Sequence, residues 1–122
     1  MVDTSVFVES LRGRRVELFD SLVRSNAAVL SPYVRLELLQ GVRKSEMAEL
    51  VDVLGGLRQL PWREDLFPIA EKMLARLKGT GLKVGIVDLL IAAQAQQFGC
   101  ALLSFDAVFG KLAKLGLVEP AK

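Results

Sequence analysis

Four carboxylates in this chain, Asp3, Glu37, Asp88 and Asp106, could do chemistry together if the fold brings them to one place. Asp88 is the most conspicuous, since it interrupts the otherwise apolar stretch VGIVDLLIAAQA (84 to 95). The rest of the composition narrows what such acids can do. There is no histidine, which removes the Ser-His-Asp and Cys-His arrangements and imidazole metal ligands. Cys100 is the only cysteine, so neither an internal disulfide nor a multi-cysteine zinc site can form, and it reads as a small core residue at the head of a strand. Chemistry built on carboxylates, hydroxyls, amines and oxygen-liganded metals remains.

The elements that must position these acids can be read from hydrophobic period. MVD is the stub of a first strand, and a helix follows through Phe7, Val8 and Leu11. RGRR (12 to 15) makes a basic turn, and VELFDSLVRS repeats Val16, Phe19, Leu22 and Val23 at the spacing of one helix face. AAVLS (27 to 31) predicts a second strand. Ser31 and Pro32 then supply an N-cap and a first-turn proline for a helix to about Arg43. Another helix, from about Ser45 to Leu54, stops at Gly55-Gly56. RQLPW predicts a third strand, LFPIAEKMLARLKGTG a helix with a glycine-rich exit, and Ile86 to Phe98 the next helix, closed by Gly99. CALLSFD (100 to 106) is the strongest strand, apolar enough to be covered on both faces. A short helix from about Ala107 to Leu115 and a final edge strand at LVE complete the pattern.

Alternating strands and helices predict an α/β fold, a three-layer α/β/α sandwich on a mostly parallel sheet of four or five strands. The length of 122 residues fits one domain. No apolar run approaches the roughly 18 residues of a membrane helix, and the N-terminus does not read as a signal peptide. A cytoplasmic protein without a membrane role is expected.

In parallel sheets, sites form outside the carboxyl ends of the strands. Asp3 ends the first strand and Asp106 follows CALLS by two residues, so both fall on that rim. Glu37 borders the apolar face of the helix after the second strand. Asp88 shares a helical stripe with Ile91, Ala92 and Ala95 and should face the protein, with Gln97 on the solvent side. Each acid also has an ordinary explanation. Asp3, Asp88 and Asp106 suit helix caps or turns, and Glu37 a solvated helix edge. Placed together, however, four acids repel one another unless something positive stands between them, either a cation or an arginine. Oxygen-only ligands favour Mg²⁺ or Mn²⁺ over softer metals. Against 14 acids the chain has 16 Lys and Arg, so with the four rim acids set aside the remaining surface carries an excess of 16 − 10 = 6 positive charges. That suits a polyanion. Arg12, Arg14 and Arg15, with Arg35, Arg43, Lys44 and Lys111, are the candidates, and ordinary solubility explains any one of them.

Four segments in order, VDTSVFVE (2 to 9), SPYVRLELLQGV (31 to 42), GLKVGIVDLLIAAQA (81 to 95) and GCALLSFDAVFGKLAKLGL (99 to 117), together resemble the PIN-domain ribonucleases, in particular VapC-type toxins of toxin-antitoxin pairs. The resemblance implies an α/β/α sandwich whose acids Asp3, Glu37, Asp88 and Asp106 hold Mg²⁺ or Mn²⁺ and cut single-stranded or loop RNA, leaving 5′-phosphate and 3′-hydroxyl ends. It also implies supporting hydroxyls at Thr4, Ser5 and Ser104, Ser104 standing where the family usually has threonine. A cognate VapB-type antitoxin and a homodimer are the implied partners. Val108 departs from the pattern, since many members carry a further acid or histidine there, and this leaves Asp106 as the fourth acid. Two other readings stay open. A phosphoacceptor receiver domain would need an aspartate just after the third strand, and a PIN-like binding module would have an idle nuclease site.

Overall fold

The computed structural model describes residues 1–121. Seven helices appear among them: α1 (Thr4–Leu11), α2 (Glu17–Arg24), α3 (Pro32–Gly41), α4 (Lys44–Gly55), α5 (Leu66–Leu77), α6 (Ile86–Gln97) and α7 (Ala107–Lys114). The strands are short. β1 (Val29–Leu30) pairs in parallel with β2 (Arg58–Gln59), and isolated parallel bridges join Val2 to Leu103 and Leu102 to Pro120.

Hydrogen bonds nevertheless carry the ladder across five segments. The Leu60 amide donates to the Leu30 carbonyl, Val2 to Val29, Leu103 to Met1, Asp3 to Leu103 and Leu102 to Glu119. Residues 1–3 are thus the central rung, with β1 then β2 on one side and 102–103 then 119–121 on the other. CALLSFD, the strongest strand by composition, holds the ladder only at Leu102 and Leu103. It ends there because the next polar atoms bond to side chains around Asp3 and not to a neighbouring backbone.

This order makes the first segment the point where the connections part. The chain leaves Asp3 toward β1 through α1 and α2, and returns on the other side only at residue 101. A crevice opens at the carboxyl end of such a segment, and Asp3 stands in it. Around the sheet α1 packs on α3, α3 on α4 and α6, and α5 on α6. One apolar core runs through the fold, with Val2, Leu30, Val34, Leu54, Leu66, Ile91, Ala92 and Leu112 fully buried.

Local chemistry sets the helix starts near the site. Asp3 accepts the Ser5 amide and caps α1. Ser31, wholly buried, accepts the Tyr33 amide at 3.2 Å, and Pro32 opens α3 with a preset φ. Asp106 accepts the Val108 amide and caps α7. The cap expected at Asp88 is absent. Gly85 is the residue before α6, and Asp88 lies inside the first turn without capping it. Gln97 is not on the solvent side either. It is half-buried and donates to Asp65, while the neighbouring Gln94 is fully buried and donates to the Pro61 carbonyl. These two amides fasten segment 61–65 to α6, so that face of the helix is a packing face.

Ser31→Ala removes a buried cap from the helix that carries Glu37. The expected loss is about 1 kcal/mol of folding stability, seen as a lower urea midpoint with an unchanged denaturant slope. An unchanged midpoint would show that Pro32 alone starts α3.

Candidate active site

The centre of the site is the Asp3 carboxylate, which is only 4% exposed. A buried ionised group needs donors, and three converge on its Oδ2: the Ser5 hydroxyl at 2.9 Å, the Ser104 hydroxyl at 2.8 Å and, more weakly, the Ser5 amide at 3.4 Å. The same hydroxyls accept on their other side. Ser5 Oγ takes the Phe105 amide at 2.9 Å, and Ser104 Oγ takes the Asp106 amide at 3.0 Å. The first residues of α1 and the end of segment 102–104 are therefore tied through one carboxylate. Thr4 serves the second acid in the same way, its hydroxyl donating to Glu37 Oε1 at 2.7 Å. The polar run DTS after the first strand thus anchors Asp3 and Glu37 together.

Glu37 is half-buried on α3, which packs against both α1 and α6. Asp88 enters from α6, where the buried stripe of Ile91, Ala92 and Ala95 lies against the core. Small residues there let the helix come close. Asp106 is exposed at the start of α7 and completes the rim.

The electrostatics show that all four acids share one space. Partial burial, and then repulsion from Asp106, Asp3 and Glu37, raises the Asp88 carboxyl above its ordinary value. None of the four makes an ion pair among the described residues; the acids that do are Glu9, Asp20, Glu46 and Asp65. Nor do three of them meet at a common point within ligand reach. The acids are gathered but not closed on anything. An all-carboxylate set under mutual repulsion, with no guanidinium or ammonium between its members, fits a hard divalent cation.

The arginines proposed from sequence lie elsewhere. Arg12, Arg14 and Arg15 sit at the opposite end of α1 from Asp3, about 12 Å away along the helix axis. Arg12 and Arg14 approach Glu9 at 4.0 and 2.7 Å, and Arg15 approaches Asp20 at 3.8 Å. Val108, the position without a further acid, is half-buried and packs on the core. Sequence reasoning named the hydroxyls but not the amides of Phe105 and Asp106 that hold them. No residue type marks a backbone donor, so only the fold could identify these. The receiver reading fails at β2, since residues 60–64 that follow it include no aspartate and Asp65 is engaged by Gln97.

Comparisons with known proteins bear on the family and the fold. A family model described as PIN domain matches residues 1–115. The protein named Ribonuclease VapC19 from Mycobacterium tuberculosis, strains CDC 1551 / Oshkosh and ATCC 25618 / H37Rv, is 33% identical over 98 residues, covering 78% of each chain. Among solved structures, that of VapBC2 from Rickettsia felis bound to a promoter DNA fragment superposes with a TM-score of 0.81 at 19% identity, over 99% of this chain and 96% of that one. FitAcB from Neisseria gonorrhoeae gives 0.78 at 24% identity, over 99% and 95% of the chains. VapBC-1 from nontypeable Haemophilus influenzae gives 0.78 at 16%, over 100% and 96%. At such identities the structural likeness concerns the fold.

The raised Asp88 carboxyl has a consequence for stability. An acid whose folded-state pKa lies above its unfolded value binds more protons when folded, so stability falls as pH rises from about the ordinary 3.8 through the raised value. In metal-free protein Asp88→Asn should melt higher than the parent at pH 7, and the gain should vanish below about pH 3.8. Thermal unfolding across that range checks it; an equal or lower melting temperature at pH 7 would mean that Asp88 is relieved by a partner.

Proposed function

The chain belongs to the PIN-domain family, and we propose that it is an endoribonuclease toxin, dependent on Mg²⁺ or Mn²⁺, that hydrolyses phosphodiester bonds in single-stranded or loop RNA. The observation that carries this reading is the field at Asp88. Burial and then repulsion from three other carboxylates raise its pKa, and among the described residues no basic side chain pairs with any of the four. A PIN-like binding module with an idle site would have no need to keep this destabilising arrangement.

In this reading Asp3, Glu37, Asp88 and Asp106 hold the ion, which when bound lowers the pKa of a water and offsets charge developing on the phosphate. The chain's own residues do the rest. Ser5 and Ser104 fix the Asp3 carboxylate in one orientation, and Thr4 fixes Glu37. A carboxylate held by two or three donors keeps its place while the less restrained acids adjust. One of the less restrained carboxylates would also orient the attacking water.

Inhibition by a VapB-type antitoxin is part of the proposal. A groove of about 440 Å³ runs between α1, α2 and α4, with Phe7, Leu11, Phe19, Val23 and Val53 among its lining residues. Leu11 and Val53 are more than half exposed there, and an apolar segment of a partner would cover them. For the homodimer we favour the other exposed apolar residues, Leu36 on α3 with Ile86 and Val87 on α6. We place the protein in the cytoplasm, where RNA and antitoxin would both be found.

Cleavage of a mixed RNA substrate should require added Mg²⁺ or Mn²⁺, stop with a chelator, and fall at least about a hundredfold in Asp88→Asn, as when a charge-handling group is lost at a reacting centre. An Asp88→Asn protein as active as the parent would sink the assignment. Val53→Glu should weaken antitoxin binding by tenfold or more, about 1.4 kcal/mol, measured against cleavage without antitoxin. Undiminished inhibition would move the partner off this groove.

A further inference from the structure

Charge on this molecule is divided in a way its totals do not reveal. From residue 72 to residue 87 the chain carries Lys72, Arg76, Lys78 and Lys83 and no acid, and from 107 to 118 it carries Lys111 and Lys114 and no acid. The fold brings these two segments together. Arg76 Nη2 donates to the Leu115 carbonyl at 2.7 Å, fastening the end of α5 to the end of α7. Lys111, Lys114 and Leu115 then line a shallow recess of about 350 Å³ with Thr80, Gly81 and Leu82 of the α5–α6 loop. The loop has a defined shape. Gly79 and Gly81 take φ of 83° and 75°, and the Thr80 hydroxyl donates to the Leu77 carbonyl and accepts the Leu82 amide.

Arg76, Lys78, Lys83, Lys111 and Lys114 are all exposed, and among the described residues none approaches a carboxylate within 4.0 Å. In contrast, Arg12, Arg14, Arg15, Arg43 and Arg63 all have acidic neighbours. The unpaired cluster lies on the two elements that carry Asp88 and Asp106: Lys111 and Lys114 stand on α7, which Asp106 caps. Lys83 precedes Asp88 by five residues in the loop that leads into α6.

We propose that the face formed by the α5–α6 loop and α7 is the track along which the sugar-phosphate backbone of single-stranded RNA reaches the acids, which among the candidates read from sequence keeps Lys111 and sets aside Arg12, Arg14 and Arg15. The inference rests on the ribonuclease reading and names the surface that reading requires. Four clustered carboxylates repel a polyanion, so substrate must be held by cations beside the rim. Flexible lysines on a loop and a short helix suit a backbone contact that is independent of sequence.

The test is the salt dependence of binding to a single-stranded oligouridylate, measured in chelator so that no cleavage intervenes. Each phosphate contact on a single strand contributes about 0.7 to the slope of log K against log salt. Lys111→Gln with Lys114→Gln should therefore flatten the slope by about 1.4 and weaken binding evenly across oligonucleotide sequences. An unchanged slope in that protein, or a slope flattened instead by Arg12→Gln with Arg14→Gln, overturns the track while leaving the nuclease reading intact. No binding by the parent at any salt would overturn both.

Discussion

The structure turns on one buried carboxylate. Asp3 ends the central segment of the sheet at 4% exposure, where an ionised group survives only if donors replace the water it has lost. The Ser5 and Ser104 hydroxyls do so, and each in turn accepts a backbone amide from residues 105 and 106. The chain's first residues and its last strand-like segment, about a hundred positions apart, are joined at this point. The cap of α1 belongs to the same network, as does the cap of α7 one residue further along. Much of what looks like ordinary helix capping here is therefore also the scaffold of the site.

Around that fixed acid the other three stand under strain of a different kind. Glu37 is steadied by Thr4, but Asp88 and Asp106 have no side-chain donor among the described residues. Asp88 in particular is partly desolvated and lies in the field of three like charges. This lowers the stability of the apo fold at neutral pH, and the core compensates with an uninterrupted set of buried Leu, Ile, Val and Ala side chains. A hard cation among the acids would offset that repulsion.

Charge away from the rim is sorted rather than spread evenly. The arginines near α1 and α4 have neighbouring acids, whereas the lysines of α7 and of the α5–α6 loop do not. Exposed apolar residues line the groove of α1, α2 and α4 and stand on α3 and α6, and others, Trp62, Phe67 and Phe105 among them, lie outside both.

The amino-acid sequence by itself determined the element order, the start of α3 at Ser31-Pro32, the stop of α4 at its glycines and the rim position of Asp3 and Asp106, because these depend on period and on local capping chemistry. It also proposed the set of four acids, from their expected place at one rim and from the resemblance of four segments to the PIN-domain ribonucleases. What it could not decide was how each side chain is used. Whether Asp88 caps its helix depends on where α6 begins, and Gly85 starts it early enough to leave Asp88 within the first turn. Whether Gln97 faces water depends on the segment packed beside it, and Asp65 covers it. The arginines of RGRR looked free in one dimension but are neighbours of Glu9 and Asp20, while Lys78, Lys83, Lys111 and Lys114, which have no such neighbour, come from two segments joined by the Arg76 bond. Pairing, burial and repulsion are distance-dependent energies, and the distances between remote residues exist only once the chain has folded.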